Sequence, residues 1–261
     1  MRKKRKKVKI SRLTRISFLP SVFTILNLFL GYMALIQILN QNYLNAAYLI
    51  TLSVVMDGFD GTIARITKTE SNFGMHLDSL VDGVTFGLVT SVFILKWGFQ
   101  TVHPPLGKII GFIFLSAGII RLARFNVYKE VKAFPANVFV GIPIPLASMS
   151  VISVFLIVKT SPREMFHMVL YAAFVILVAF LMISNVKYRT MKRINPKYSL
   201  VVLFVLAVLI ASTIMYPEVT IPFCSFLYLV SPIFVGFFNK LKKSKVRVNV
   251  ESQLEPKKES N

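Results

Sequence analysis

Four aspartates, Asp57, Asp60, Asp78 and Asp82, fall within the stretch DGFDGTIARITKTESNFGMHLDSLVD. The first pair is three residues apart and the second pair four, and on helices both spacings place the two carboxylates on one face. Each pair borders an apolar run, where a carboxylate is costly enough to mark a functional site by default. Four carboxylates gathered at one face repel one another unless a cation lies among them. Oxygen-only ligands with access to water favour hard ions, Mg2+ or Mn2+, over zinc. Such ions clamp a diphosphate and stabilise charge on a leaving group. Gly61 and Ala64 share the helical face of Asp57 and Asp60 and let a ligand approach the backbone closely. Arg65 offers a guanidinium to a phosphate. Metal-binding carboxylates, small residues and a phosphate-binding arginine together point to a nucleotide diphosphate.

The elements that must position these residues are membrane helices. The chain has 261 residues, 55% of them apolar and 13% aromatic, with a mean hydropathy of +0.65. Repeated long apolar runs predict an all-α, polytopic helical bundle. Eight spans of about 20 residues fit the sequence, at 20–40, 44–65, 76–97, 106–127, 140–159, 165–184, 199–216 and 219–239. The ends of the second and fourth carry Asp57, Asp60, Arg65, Arg121 and Arg124 and project beyond the hydrocarbon. GIPIP at 141–145 opens the fifth span with prolines that disturb regular hydrogen bonding. The organisation expected is a basic juxtamembrane segment at 1–19, a transmembrane domain at 20–239 and a polar, disordered tail at 240–261.

Charge orients the bundle. An eight-span arrangement puts 27 of the 31 Lys and Arg on the side of both termini, leaving Lys96, Lys108, Lys159 and Arg163 opposite. The positive-inside rule then makes that side cytoplasmic, with N- and C-termini and all four aspartates facing the cytoplasm of a multi-pass protein of the cell membrane. The net charge of +20 is concentrated at the chain ends and in alternate loops, which reads as anchoring to anionic lipid and not as a nucleic-acid surface. The single cysteine, Cys224, excludes a disulfide framework or a cysteine metal site and reads as a small buried apolar residue. His103 and His167 fall on the side away from the aspartates.

Asp57, Asp60, Gly61, Ala64, Arg65, Gly74, Asp78 and Asp82 fill every fixed position of the pattern D-x2-D-G-x2-A-R-x8-G-x3-D-x3-D, and so resemble the signature of the CDP-alcohol phosphatidyltransferase family. That resemblance implies transfer of a phosphatidyl or similar group from a CDP-linked lipid to an alcohol, with release of CMP. It implies that Asp57, Asp60 and Asp78 bind the metal. Asp82 would be the general base and a further metal ligand. Gly61, Ala64, Arg65 and Gly74 would line the CDP-lipid site, together with Asn27. It also implies a homodimer. A base is needed because an alcohol's pKa lies far above 7.

Other segments resemble the phosphatidylserine synthase branch of that family: Thr24, Asn27 and Gly31 in the first span, RLARFN at 121–126, GIPIP, and SNVKY at 184–188. Ser21 departs from the family, which often has Asn there. The branch implies CDP-diacylglycerol and L-serine as substrates, with Arg121, Arg124 and Asn126 as the candidate serine contacts. A sibling activity on glycerol phosphate, inositol phosphate or another alcohol uses the same signature. A cation transporter would instead place its acidic path near the midplane of broken helices. The aspartates here cluster at one face beside Arg65, which a cation path does not favour.

Overall fold

The computed structural model of the chain describes residues 18–66, 72–130, 138–189, 208, 211–213 and 215–231. Its order is α1 (Phe18–Leu39), α2 (Tyr43–Ile66), α3 (Asn72–Asp82), α4 (Val89–Phe93), α5 (Pro104–Glu130), β1 (Val138–Val140), α6 (Ile144–Val158), α7 (Met165–Ile183) and β2 (Lys187–Arg189). A further apolar helix, α8, covers Pro217–Ser231. A π-helical stretch, Gly83–Leu88, joins α3 to α4, and a second, Ile94–Phe99, extends α4, so that residues 72–99 form a continuous rod. Among the described residues, four helical segments are long and apolar enough to cross a membrane: Val22–Leu39, Phe73–Phe99, Pro104–Tyr128 and Met165–Ile183. α6 and α8 are apolar but shorter, and α2 carries Asp57, Asp60 and Arg65 in its second half. The expected seventh span and the end of the eighth fall largely outside the described residues, as do the basic segment before residue 18 and the tail.

The core is aromatic at one end of the bundle. Phe93, Trp97, Phe155 and Tyr171 pack with centroids 5.1–6.1 Å apart, Phe155 and Tyr171 meeting their partners edge-on and Phe93 tilted against Trp97, and edge-on contact is a geometry that ring quadrupoles favour. Elsewhere small residues let helices approach. A Cβ on Gly31 would lie 2.6 Å from Thr85 Oγ1, and one on Gly111 would lie 2.8 Å from the Ser91 carbonyl oxygen. Close backbone approach of this kind is how helices associate where lipid removes the hydrophobic drive. The large apolar residues left exposed, among them Phe29, Phe112, Leu170 and Phe180, are the surface such a bundle offers to acyl chains.

Two local readings change. The fifth span does not begin at residue 140. Residues 138–140 form β1, which pairs antiparallel with β2 in the register Val138↔Arg189, Phe139↔Tyr188 and Val140↔Lys187. The prolines of GIPIP do not interrupt a helix; they start one. Pro143 is the extended N-cap of α6 and Pro145 lies in its first turn, where a missing N–H is no loss. The sixth span likewise stops at Ile183, and SNVKY turns into β2. The second correction is Cys224, which is exposed.

Candidate active site

Helix α2 carries Asp57 and Asp60 near its C-terminal end, and α3 begins only six residues after α2 stops. The chain therefore returns at once, and the second pair of aspartates arrives beside the first. Oxygens of Asp57, Asp60 and Asp78 all lie within 4.8 Å of one another. Asp82, one turn beyond Asp78, is buried, and its side chain hydrogen-bonds that of Asp57. The second oxygen of Asp82, Oδ1, is buried with no hydrogen-bond partner.

Helix α1 closes one wall of this cluster. Thr24 donates a 2.9 Å hydrogen bond to Asp60 Oδ2, both groups being buried. One turn on, Asn27 is completely buried, and neither its amide nitrogen nor its amide oxygen has a partner. Thr85, one turn past Asp82 and packed against Gly31, is in the same condition at Oγ1. An unpaired buried polar group costs about 1–3 kcal/mol. Three beside one carboxylate cluster describe a lining built for something that completes their hydrogen bonds.

Helix α5 closes the other wall. Arg121 is 5% exposed, its guanidinium lies over the Phe125 ring at 5.3 Å, and it interacts electrostatically with Asp82 and Asp57. Its Nε has no partner. Arg124 faces elsewhere. Its Nη1 donates to the Ile183 carbonyl at 2.5 Å and reaches Asn185 Oδ1 at 3.5 Å. Its Nη2 donates to the carbonyls of Val140, Met182 and Ser184 at 3.1–3.3 Å. It thereby caps the C-terminal carbonyls of α7, which lack intrahelical partners, and ties them to β1. Asn126 exchanges hydrogen bonds of 3.0 and 3.2 Å with Ser79, next in sequence to Asp78.

The structure thus brings Asp57, Asp60, Asp78, Asp82, Asn27 and Arg121 together, with Asn126 and Arg124 set behind them. Gly61, Ala64 and Arg65 follow the aspartates on α2, which continues helically to Ile66, so 57, 60, 61 and 64 share a face. The side chains of these three lie outside the described residues. Gly74 is half-buried in the first turn of α3. Thr85 and Ser79 carry no motif and were not legible as site residues. Their only signal is a polar side chain one turn from Asp82 or next to Asp78. The donor chemistry fits a hard divalent cation: three carboxylates in reach of one another, and oxygen ligands only.

Comparison with known proteins agrees with this geometry. Residues 17–179 match the profile described as CDP-alcohol phosphatidyltransferase. A CDP-diacylglycerol--serine O-phosphatidyltransferase of Helicobacter pylori (strain ATCC 700392 / 26695) is 32% identical over 193 residues, covering 70% of this chain and 77% of its own. One from Methanocaldococcus jannaschii is 34% identical over 175 residues, 67% of this chain and 72% of its own. An archaetidylserine synthase of Methanothermobacter thermautotrophicus is 30% identical over 180 residues, 68% and 72% of the respective chains.

Proposed function

The chain belongs to the CDP-alcohol phosphatidyltransferase family, and from that premise we propose that it is a CDP-diacylglycerol–serine O-phosphatidyltransferase. It moves the phosphatidyl group of CDP-diacylglycerol to the hydroxyl of L-serine, giving phosphatidylserine and CMP. The observation that carries the reading is the convergence of four aspartates from α2 and α3 with Arg121 of α5 in one buried site. The names of the relatives support serine as the acceptor.

In this reading Asp57, Asp60 and Asp78 hold Mg2+ or Mn2+, with Asp82 able to add a ligand. The ion supplies charge neutralisation at the diphosphate when bound. Gly61, Ala64 and Gly74 give the CDP group close access to the backbone, Arg65 contacts its phosphates, and Asn27 completes the lining. Asp82 accepts the proton of the serine hydroxyl as its oxygen bonds to the phosphatidyl phosphorus. The P–O bond to CMP then breaks, and CMP leaves with the electron pair. Such chemistry asks for positioning and charge neutralisation more than covalent catalysis.

Arg121 takes the serine carboxylate. Its burial beside Asp82 keeps the amino acid's hydroxyl within reach of the base. Arg124 and Asn126, expected as further serine contacts, act here by positioning. Arg124 fixes α5 against α7 and β1, and Asn126 fixes the Asp78 turn through Ser79. Eight spans, cytoplasmic termini, a cytoplasm-facing site and a homodimer complete the reading. The expected basic segment at 1–19 and polar tail at 240–261 would flank the transmembrane domain.

The deciding experiment is an acceptor panel with purified protein, CDP-diacylglycerol and Mg2+ or Mn2+. Serine is expected to stimulate CMP release. Stimulation by glycerol phosphate or inositol phosphate, with none by serine, would reassign the acceptor.

A further inference from the structure

A cavity of about 940 Å3 opens at the other end of the molecule. It lies between the C-terminal half of α6, the turn at 160–164, the N-terminal half of α7 and Trp97. α7 is 19 residues long, about 28 Å at 1.5 Å per residue. Arg124 and the aspartates belong to its C-terminal end, so this cavity cannot be an extension of their site.

Its construction is amphipathic. Val154, Leu170, Phe174 and Leu177 give apolar walls, and Leu170 and Leu177 continue onto the exposed apolar surface of α7. Thr160, Ser161, Arg163, Glu164 and His167 form the polar mouth. Lys159 pairs with Glu218, and His167 Nδ1 lies 3.3 Å from the Glu164 carboxylate. Arg163 is left with no carboxylate partner among the described residues. The inner wall holds a second independent observation. Trp97 and Tyr171 are almost wholly buried there, and neither the indole Nε1 nor the phenol oxygen has a hydrogen-bond partner.

We infer that this cavity binds one membrane glycerophospholipid with an anionic head group. Its phosphate pairs with Arg163, an acyl chain lies along α7, and the ester region lies at the level of Trp97 and Tyr171. The chemistry of each part matches. A guanidinium pairs with phosphate in fork geometry. Trp and Tyr combine an apolar body with a donor suited to the boundary between head group and chain. The volume falls within the range of cavities that enclose small ligands. The site is independent of the transfer reaction.

The molecule carries its own reporter, because Trp97 is its only tryptophan. The protein is reconstituted in phosphatidylcholine vesicles containing a fixed fraction of chain-brominated phosphatidylglycerol or, separately, chain-brominated phosphatidylcholine. Bromine quenches indole fluorescence at short range. Quenching at equal mole fraction is expected to be several-fold greater for the anionic lipid. Arg163→Gln should remove that preference, and Ala173→Phe, which fills the cavity, should reduce quenching by both lipids. Acceptor-stimulated CMP release by the same variants checks that they are folded. Equal quenching by the two head groups, or a preference unchanged in Arg163→Gln, would overturn the inference. Quenching that emerges only when the protein is diluted among lipids would assign the cavity to a second copy of the chain and overturn it equally.

Discussion

Thr24 of α1 holds Asp60 of α2 by a 2.9 Å hydrogen bond across 36 residues of sequence, in a place closed to solvent. It orients one carboxylate of the candidate metal cluster. Groups that orient a metal ligand matter nearly as much as the ligand itself. Thr24→Val keeps the shape and removes the donor. The Mn2+ concentration giving half-maximal CMP release should rise about 10-fold or more, with Thr24→Ser close to wild type. An unchanged metal titration in Thr24→Val would show that Asp60 needs no such support.

Asp82→Asn should abolish transfer, by a factor of about 10²–10⁴ for loss of a general base. CDP-diacylglycerol binding should largely survive, because Asp57, Asp60 and Asp78 remain. Turnover and equilibrium binding of the lipid, measured side by side, separate the two. Near-normal turnover would remove Asp82 from the role of base.

The two arginines of α5 should behave differently. Arg121→Ala is expected to raise the serine KM more than the CDP-diacylglycerol KM. Arg124→Ala should instead lower thermal stability, by about 3 kcal/mol or more for the loss of its charge-assisted bonds to the end of α7 and to β1, with both KM values moving together. A selective serine effect in Arg124→Ala and none in Arg121→Ala would exchange their assignments.

Gly141 has φ +77°, and a Cβ there would lie 2.2 Å from the Met182 carbonyl oxygen and 3.0 Å from Arg124 Nη2. Gly141→Ala is therefore strained by conformation and blocked by backbone. It should cost several kcal/mol and abolish recovery of folded protein from membranes, read as loss of a monodisperse peak on size exclusion. Normal yield and melting temperature would mean that β1 and α7 can separate freely.

Chelation should stop CMP release without unfolding the bundle. Helical circular dichroism should persist in EDTA, and Mg2+ or Mn2+ should restore activity. Restoration by Zn2+ alone would contradict an oxygen-ligand site for a hard ion.

Much of this arrangement could be read from the chain because it is local. The spacing of Asp57, Asp60, Asp78 and Asp82 encodes two helix faces, and the short gap between α2 and α3 forces those faces together. The apolar runs encode the helices themselves. Contacts between distant segments carry no such periodicity. Nothing in RLARFN distinguishes an arginine that faces Asp82 from one that caps α7, since the two are one turn apart on the same helix end. The pairing of β1 with β2 joins residues about 50 positions apart, and two three-residue strands are too short to show alternation. The prolines at 143 and 145 were visible, but whether a proline breaks or begins a helix depends on where the preceding strand ends.

The two π-helical stretches after Asp82 bear on how this rod tolerates change. Each π turn holds one residue more than an α turn, so each is a one-residue insertion absorbed without breaking the helix. Deleting a single residue within 83–88 would let that stretch relax to α-helix, and five residues at about 100° each turn the chain nearly as far as the six of the wider π coil, so everything beyond it keeps its phase. The aspartates would keep their phase, and Thr90, Phe93 and Trp97 would still face Ser148, Phe155 and Tyr171, their present neighbours. The rod thus holds its carboxylate end and its aromatic end in fixed rotational phase while tolerating the loss of one residue at either π stretch, a loss that an unbroken α-helix would pass on as a rotation of about 100°.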